Sequence, residues 1–123
     1  MQYAILCYNH KEITSAWTKE EDDLCMKQLL AVQEPLKQQG KLGPVARLLP
    51  TSAATTLRKT RDEPLVIDGP FAETKEQLLG FYVVDVENLD EALGIARDLA
   101  KANLAMGSYE IRPIQMFIPN ELK

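Results

Sequence analysis

Two segments of this chain, residues 3–8 and residues 80–86, are almost entirely apolar. Both are far shorter than the roughly 20 residues that cross a membrane, and both are rich in strand-forming residue types. A strand that is apolar on both sides is typical of the centre of a sheet whose two faces are covered. The pattern therefore predicts two central strands, and it requires cover for both faces of their sheet.

Each apolar segment is followed by an amphipathic helix. Thr18-Lys19-Glu20-Glu21 fits a capping box, and the helix that it opens should bend at Pro35 and end near Gln39. Asn88-Leu89-Asp90-Glu91 fits a second capping box. Apolar residues recur at helical spacing in both, at Cys25, Leu29, Val32 and Leu36 in the first and at Leu89, Ala92, Leu93, Ala96, Leu99 and Ala100 in the second.

The remaining segments complete an α+β pattern. Leu42–Leu49 reads as a strand that lies at an edge or contains an irregularity, because Pro44 cannot donate a ladder hydrogen bond. Thr55–Lys59 and Leu65–Ile67 read as a hairpin, and Tyr109–Ile118 alternates like a last strand. This order predicts a ferredoxin-like split β-α-β domain with an added hairpin, in which both helices cover the same sheet face.

This arrangement leaves the other face of the sheet without cover. Ala4, Leu6 and Tyr8 oppose Tyr3, Ile5 and Cys7, so one set faces away from the helices. Soluble monomers rarely expose an apolar patch of that size. We therefore predict that two copies pack sheet to sheet as a homodimer.

Composition narrows the functional classes. A chain of 123 residues, with 46% hydrophobic and 26% charged residues, suits one globular domain spanning residues 1–123. Its formal charge of −4 argues against a direct nucleic-acid binder. Cys7 and Cys25 show neither metal-site nor disulfide-scaffold spacing, so we expect both to be reduced and buried. The first ten residues lack the features of a signal peptide, which favours the cytoplasm without membrane association.

The most specific segment is Asp68-Gly69-Pro70-Phe71-Ala72-Glu73-Thr74-Lys75-Glu76. Its first three residues alone are typical of a turn. The whole string resembles the signature of the DGPF proteins of the YCII-related family. The resemblance extends from Tyr3 through Gly80-Phe81-Tyr82 to the strand that contains Glu110-Ile111-Arg112-Pro113.

This resemblance implies a bacterial dimeric α+β barrel, in a group often without an assigned activity. Members are often encoded beside, or fused to, extracytoplasmic-function sigma factors, so a sigma factor is an implied partner. Relatives that are suspected enzymes pair a histidine of the first helix with an aspartate near the turn. The corresponding helix here carries Leu24, Cys25 and Met26 and no histidine.

Asp68 is the first candidate for a catalytic residue. At a strand end that faces a dimer cleft, burial would favour the protonated form of its carboxyl near neutral pH and suit it to general acid or base chemistry. The alternative is that Asp68 caps the turn or a short helix after it. His10, the only histidine, is the second candidate, although a solvated loop histidine is the alternative reading.

The candidate ligand-binding residues are polar or aromatic groups that could meet at one cleft. Exposed charges, surface or cross-strand ion pairs and ordinary core tyrosines are the alternative readings. No metal, nucleotide or other cofactor is expected. The sequence thus leaves two hypotheses. The first is a small-molecule pocket, with or without cofactor-free proton-transfer chemistry. The second is a regulatory module that binds another protein. The candidate ligand-binding residues are Tyr8, Phe71, Glu73, Lys75, Glu76, Tyr82, Glu110 and Arg112.

Overall fold

The computed structural model describes residues 1–10, 17–59, 63–72, 74–103 and 107–119. Its elements alternate between strands and helices, with a short 3-10 turn at Thr51–Ala53. In chain order they are β1 (Gln2–His10), α1 (Lys19–Gln38), β2 (Leu42–Arg47), β3 (Thr55–Arg58), β4 (Leu65–Asp68), β5 (Glu76–Asp85), α2 (Leu89–Ala102) and β6 (Gly107–Pro113).

Four strands form one antiparallel sheet in the order β2-β5-β1-β6. The two apolar segments are its central strands, as predicted, and β2 lies at an edge with an irregularity between Leu42 and Val45. Strands β3 and β4 pair as a separate hairpin. The α+β fold class and its ferredoxin-like topology are therefore confirmed.

Both helices lie on one face of this sheet. Tyr3 and Ile5 of β1 and Tyr82 and Val84 of β5 face the helices and form the core with residues of α2. Ile5 and Val84 are completely buried. The core is thus a sandwich of a sheet face and a helix layer, as the apolar stripes predict.

The helix starts match the sequence pattern with one difference. Thr18 and Glu21 form the predicted reciprocal capping box at α1. At α2, the Asn88 side chain accepts a 2.9 Å hydrogen bond from the Glu91 amide, but the Glu91 carboxylate accepts from the amide of Glu87. The predicted second capping box is therefore only half formed, and the other oxygen of the Glu91 carboxylate pairs with Lys41 at 2.6 Å.

A β-bulge interrupts the pairing of the two central strands. Cys7 pairs with Gly80 and Tyr8 pairs with Leu78, so Leu79 is an extra residue in β5. A side chain at Gly80 would place its Cβ 2.7 Å from the Ala46 carbonyl oxygen, which explains the glycine there. Beyond the bulge, Gln77 faces the helices, and Glu76 and Leu78 face the opposite side.

The sheet face away from the helices, which we term the open face, is more protected than the sequence suggests. Val83 is 8% exposed, and Ala4, Leu6 and Phe81 are half-buried. Strongly exposed apolar side chains lie elsewhere in the described chain. They include Leu57, Val66 and Phe71 in and beside the hairpin, and Met116 and Ile118 after β6.

Two strand boundaries differ from the prediction by more than two residues. Strand β5 begins at Glu76, before the predicted start at Gly80, and β6 ends at Pro113 rather than Ile118. Just after β6, the Ile114 amide donates a backbone hydrogen bond to the carbonyl of Gln2, the first residue of β1. Within the described ranges, no helix has the length and apolar character to span a membrane.

Candidate functional site

Two concave regions lie at the same end of the sheet. The motif cleft, on the open-face side, is an open region of about 950 Å³. The helix-side cavity, beneath α1, is better enclosed and measures about 390 Å³. The motif cleft is lined by Tyr8, His10, Thr51, Pro70, Phe71, Ala72, Thr74, Lys75, Glu76, Gln77 and Leu78.

The motif cleft brings together five predicted site residues, Tyr8, His10, Phe71, Lys75 and Glu76. The bulge contributes directly, because it pairs His10 with Glu76 and Tyr8 with Leu78 on the same side of the sheet. Ser108 of β6 donates to the Glu76 carboxylate, with oxygen–oxygen distances of 2.9 and 3.0 Å. One carboxylate of the cleft is therefore held in place by β6, which is separated from β5 by β1.

The motif segment forms the other wall of the cleft. Gly69 has φ of +107°, a conformation that side chains other than glycine rarely adopt, so the turn depends on this residue. The Arg58 guanidinium lies 5.1 Å from the centre of the Phe71 ring, within cation–π range. Thr74 Oγ1 donates to the Glu76 carbonyl at 2.5 Å. Glu73, another candidate of this segment, lies outside the described residues.

Asp68 ends β4, where it pairs with Thr55 and is exposed to water. It is not among the lining residues of the motif cleft. The burial that acid or base chemistry at Asp68 would require is therefore not supplied within one chain. Instead, the neighbouring Gly69 is fixed, since its carbonyl accepts a 2.8 Å hydrogen bond from Thr56 Oγ1.

Glu110 and Arg112 form a polar string with Tyr8 across β6 and β1. The Tyr8 hydroxyl donates to Glu110 Oε1 at 3.2 Å, and Arg112 Nε donates to Glu110 Oε2 at 3.1 Å. The Arg112 guanidinium lowers the pKa of Glu110, whereas desolvation and then the Glu110 carboxylate raise the pKa of Tyr8. The pair lies within one strand, not across strands. It connects to the motif cleft through Tyr8.

Tyr82 is not brought together with these residues. It faces the helices, is 9% exposed, and lines the helix-side cavity. The sequence indicated no cavity there, because the residues beneath α1 read as ordinary core positions. The main side chains of this cavity are Cys7, Tyr82 and Tyr109 from the sheet, Cys25, Met26, Leu29 and Gln33 from α1, and Trp17, Leu48, Leu49 and Asn103 from the adjoining segments.

Burial dominates the electrostatics of the helix-side cavity. Desolvation raises the pKa of Tyr82 and that of Cys7 each to about 12, and it raises the pKa of Tyr109 as well. Cys25 is buried as predicted, whereas Cys7 is half-buried, and both are free thiols. Cys7, Tyr82 and Tyr109 are consequently neutral near pH 7.

No three His, Cys, Asp or Glu side chains in the described ranges lie close enough together to hold a metal ion. The ionisable residues of the motif cleft are His10, Lys75 and Glu76, beside the aromatic groups of Tyr8 and Phe71. Such a set can bind a polar ligand through charge, hydrogen bonds and ring contact.

Fold and cleft together define a ferredoxin-like α+β protein with a candidate small-molecule site at the end of its sheet. The YCII-related domain matches residues 1–118 of the chain. An uncharacterized protein of Rhizobium meliloti (strain 1021) is 61% identical over 122 residues, which cover 99% of this chain and 98% of that protein. The chain therefore belongs to the YCII-related family.

Proposed function

We propose that this protein binds a small anionic molecule in the motif cleft, and that a second copy of the chain closes the cleft in a homodimeric α+β barrel. The observation that carries the proposal is the convergence of Tyr8, His10, Phe71, Lys75 and Glu76 on one concave surface. Polar groups placed among apolar walls are typical of small-molecule sites.

The charge of the ligand is inferred from Lys75. Lys41 and Arg47 are already paired, with Glu91 and with Asp22, each at 2.6 Å. Lys75 is exposed and forms no such pair within the part of the chain that the structure describes. Its ammonium group is therefore available to a carboxylate or phosphate group.

The aromatic residues favour a ligand with an apolar body. Phe71 is 73% exposed and its ring is held by Arg58, and Tyr8 lies on the sheet side of the same cleft. An exposed ring of this kind loses water contact when a flat ligand stacks on it. A small aromatic carboxylate combines this ring contact with the charge that Lys75 would bind.

The homodimer is supported by the distribution of exposed apolar side chains. Leu57 is 64% exposed and Val66 69% exposed, and both lie on a hairpin that has few contacts with the rest of the described chain. Such a patch favours association. A second copy against the hairpin and the open face would bury these side chains and also desolvate Asp68. Asp68 is then the candidate acid or base of a cofactor-free proton transfer.

Ligand binding is tested by titration calorimetry with benzoate, phthalate and inorganic phosphate. Lys75→Ala should weaken the tightest of these ligands by about tenfold, since a charge-assisted hydrogen bond contributes about 1.5–3 kcal/mol. Lys27→Ala, an exposed lysine on the outer side of α1, is the matched control and should change nothing. Equal affinities for all three proteins would contradict the proposed site.

The dimer is tested by sedimentation of Val66→Glu, which places a charge on the hairpin. We expect the dimer dissociation constant to rise at least tenfold because the charge would be buried without a partner. Leu30→Glu is the control, since Leu30 is 56% exposed on α1, away from the hairpin. A wild-type protein that is monomeric at micromolar concentration would overturn the dimer.

A second candidate function is a regulatory module that binds an extracytoplasmic-function sigma factor. The exposed apolar hairpin favours this alternative, because such a surface suits a protein partner as well as a second copy. The two functions separate in one comparison. Sigma-factor binding that is lost in Val66→Glu and kept in Lys75→Ala, with no ligand bound by the wild type, would favour the module.

A further inference from the structure

We propose that the helix-side cavity is a second ligand site, separate from the motif cleft, which takes a neutral one- or two-ring compound with a carbonyl-type acceptor. Its volume of about 390 Å³ lies within the range of about 300–1,000 Å³ typical of small-molecule sites. A dry apolar cavity of about 150 Å³ accommodates benzene in another protein. The present cavity therefore has room for two fused rings.

The walls of the cavity define an apolar body for the ligand. Met26 and Leu29 line it from α1, and Leu48 and Leu49 line it from the segment after β2. Leu49 is 78% exposed, so this side chain lies at the mouth of the cavity and leaves a route for entry. A ligand that packs against this exposed apolar side chain would shield it from water.

The lining of the cavity carries two hydroxyl groups that can donate, those of Tyr82 and Tyr109. Asn103 Nδ2 donates to the Tyr109 hydroxyl at 3.2 Å, and Tyr82 lines the same cavity. A hydroxyl that accepts one hydrogen bond still has its own hydrogen to donate. No described protein group takes the hydrogen of either tyrosine in this structure. Both hydroxyl groups are therefore suited to a ligand acceptor.

Charge selects a neutral ligand over an anion. Arg47 is the only cationic side chain of the described lining, and it is paired with Asp22 at 2.6 Å. Cys7, Tyr82 and Tyr109 are neutral because burial disfavours their charged forms. A carboxylate in this cavity would lose its hydration without gaining a counter-charge. An aromatic ketone instead gains two hydrogen bonds without that cost.

The test uses the only tryptophan of the chain. Trp17 lines the cavity, so its fluorescence reports a bound ligand directly. Titration with 2-acetylnaphthalene should quench Trp17 saturably at one ligand per chain, with a dissociation constant on the order of 0.1 mM for a ligand of this size. The anion 2-naphthoate should bind at least tenfold more weakly by the same signal.

The variants separate hydrogen bonding from general packing. Tyr109→Phe and Tyr82→Phe should each weaken the ketone by about three- to tenfold, the effect of one lost hydrogen bond. Tyr3→Phe is the matched control, because Tyr3 lies on the same sheet face but contacts Met1 Sδ and does not line the cavity. Lys75→Ala should leave ketone binding unchanged, so failure here is distinguishable from failure at the motif cleft.

Amide chemical shifts of the wild-type protein provide a reading that does not depend on any variant. The ketone should shift the signals of Cys25, Leu29 and Asn103 and leave those of the hairpin in place. The absence of a saturable change in a folded wild-type protein would overturn the site. Equal binding of 2-naphthoate would overturn the ligand class, and unchanged affinity in both tyrosine variants would overturn the role of the hydroxyl groups.

Discussion

The two helices cover the same sheet face but contribute very differently to the core. Helix α2 has 14 residues and buries Ala92, Ile95, Ala96 and Leu99. Helix α1 has 20 residues, yet Cys25 is its only buried residue. The longer helix is thus the more loosely packed one. The difference teaches that helix length and capping do not by themselves indicate how much a helix stabilises the fold.

The side chains explain this difference. The core-facing side of α2 carries two small alanines, Ala92 and Ala96, and Leu99 on the same helix is 1% exposed. Helix α1 meets the sheet with longer side chains, and the helix-side cavity lies beneath it. Pro35, within α1, also removes one backbone donor. We therefore infer that α2 is the helix that packs into the core, and that α1 mainly covers the helix-side cavity.

The largest expected effect comes from shortening one leucine in each helix. Leu99→Ala should lower the free energy of unfolding by about 2–5 kcal/mol, because it empties a fully buried site. Leu29→Ala should cost less than half as much, since Leu29 is only partly buried and already borders a cavity. Urea denaturation measures both values. Equal losses would contradict the assignment of the core to α2.

Hydrogen exchange should separate the helices without any mutation. The amides of α2 should exchange only through global unfolding, because α2 packs into the core. The amides of α1 should exchange at least tenfold faster through local opening, a difference of about 1.4 kcal/mol or more. Equal protection along both helices would show that α1 and α2 unfold together.

Removing the helix caps should have a smaller effect. Asn88→Ala removes the acceptor for the Glu91 amide and should cost about 1 kcal/mol of global stability. Thr18→Ala removes the equivalent acceptor for the Glu21 amide, but fraying of α1 leaves most of the core intact, so we expect a smaller loss. Thermal denaturation measures both, with Asn88→Asp and Thr18→Ser as controls that keep the side-chain oxygen.

The smallest expected effect is a pH dependence at the start of α2. Lys41, first, and the Glu87 amide, second, lower the pKa of Glu91. A carboxyl whose pKa is lowered on folding stabilises the fold above its ordinary titration range, and this contribution is lost as pH falls through the folded pKa. The stability difference between wild type and Glu91→Gln should therefore shrink as pH falls below about 4.5. A difference that stays constant with pH would contradict the role of the ion pair.

Most of the architecture was predictable because it rests on local patterns. The apolar strands at residues 3–8 and 80–86, the Thr18 capping box and the stripe of α2 each follow from short-range spacing. The end of β6 at Pro113 was not predictable in this way. The alternation continues to Ile118, but pairing stops because the partner strand β1 begins at Gln2. A strand boundary set by the partner strand cannot be read from the strand alone.

The candidate site was predictable only in part. The motif segment identified one wall of its cleft, and Tyr8 and His10 join it because β1 ends there. Tyr82 falls on the opposite sheet face, a placement that follows from its pairing with Ile5. The helix-side cavity was missed because Cys25 and Leu29 have the spacing of core residues whether or not space remains beneath them. Asp68 as an acid or base stays a prediction.

The extra residue Leu79 makes deletions along β5 unequal in their outcome. Without Leu79, Gly80 would still oppose Cys7 and Leu78 would still oppose Tyr8, so every side chain of the strand would keep its side of the sheet. Loss of a residue such as Val83 would instead invert the orientation of all residues on one side of the gap. Strand β5 can therefore lose a residue at this one position while its core-facing side chains keep facing the core.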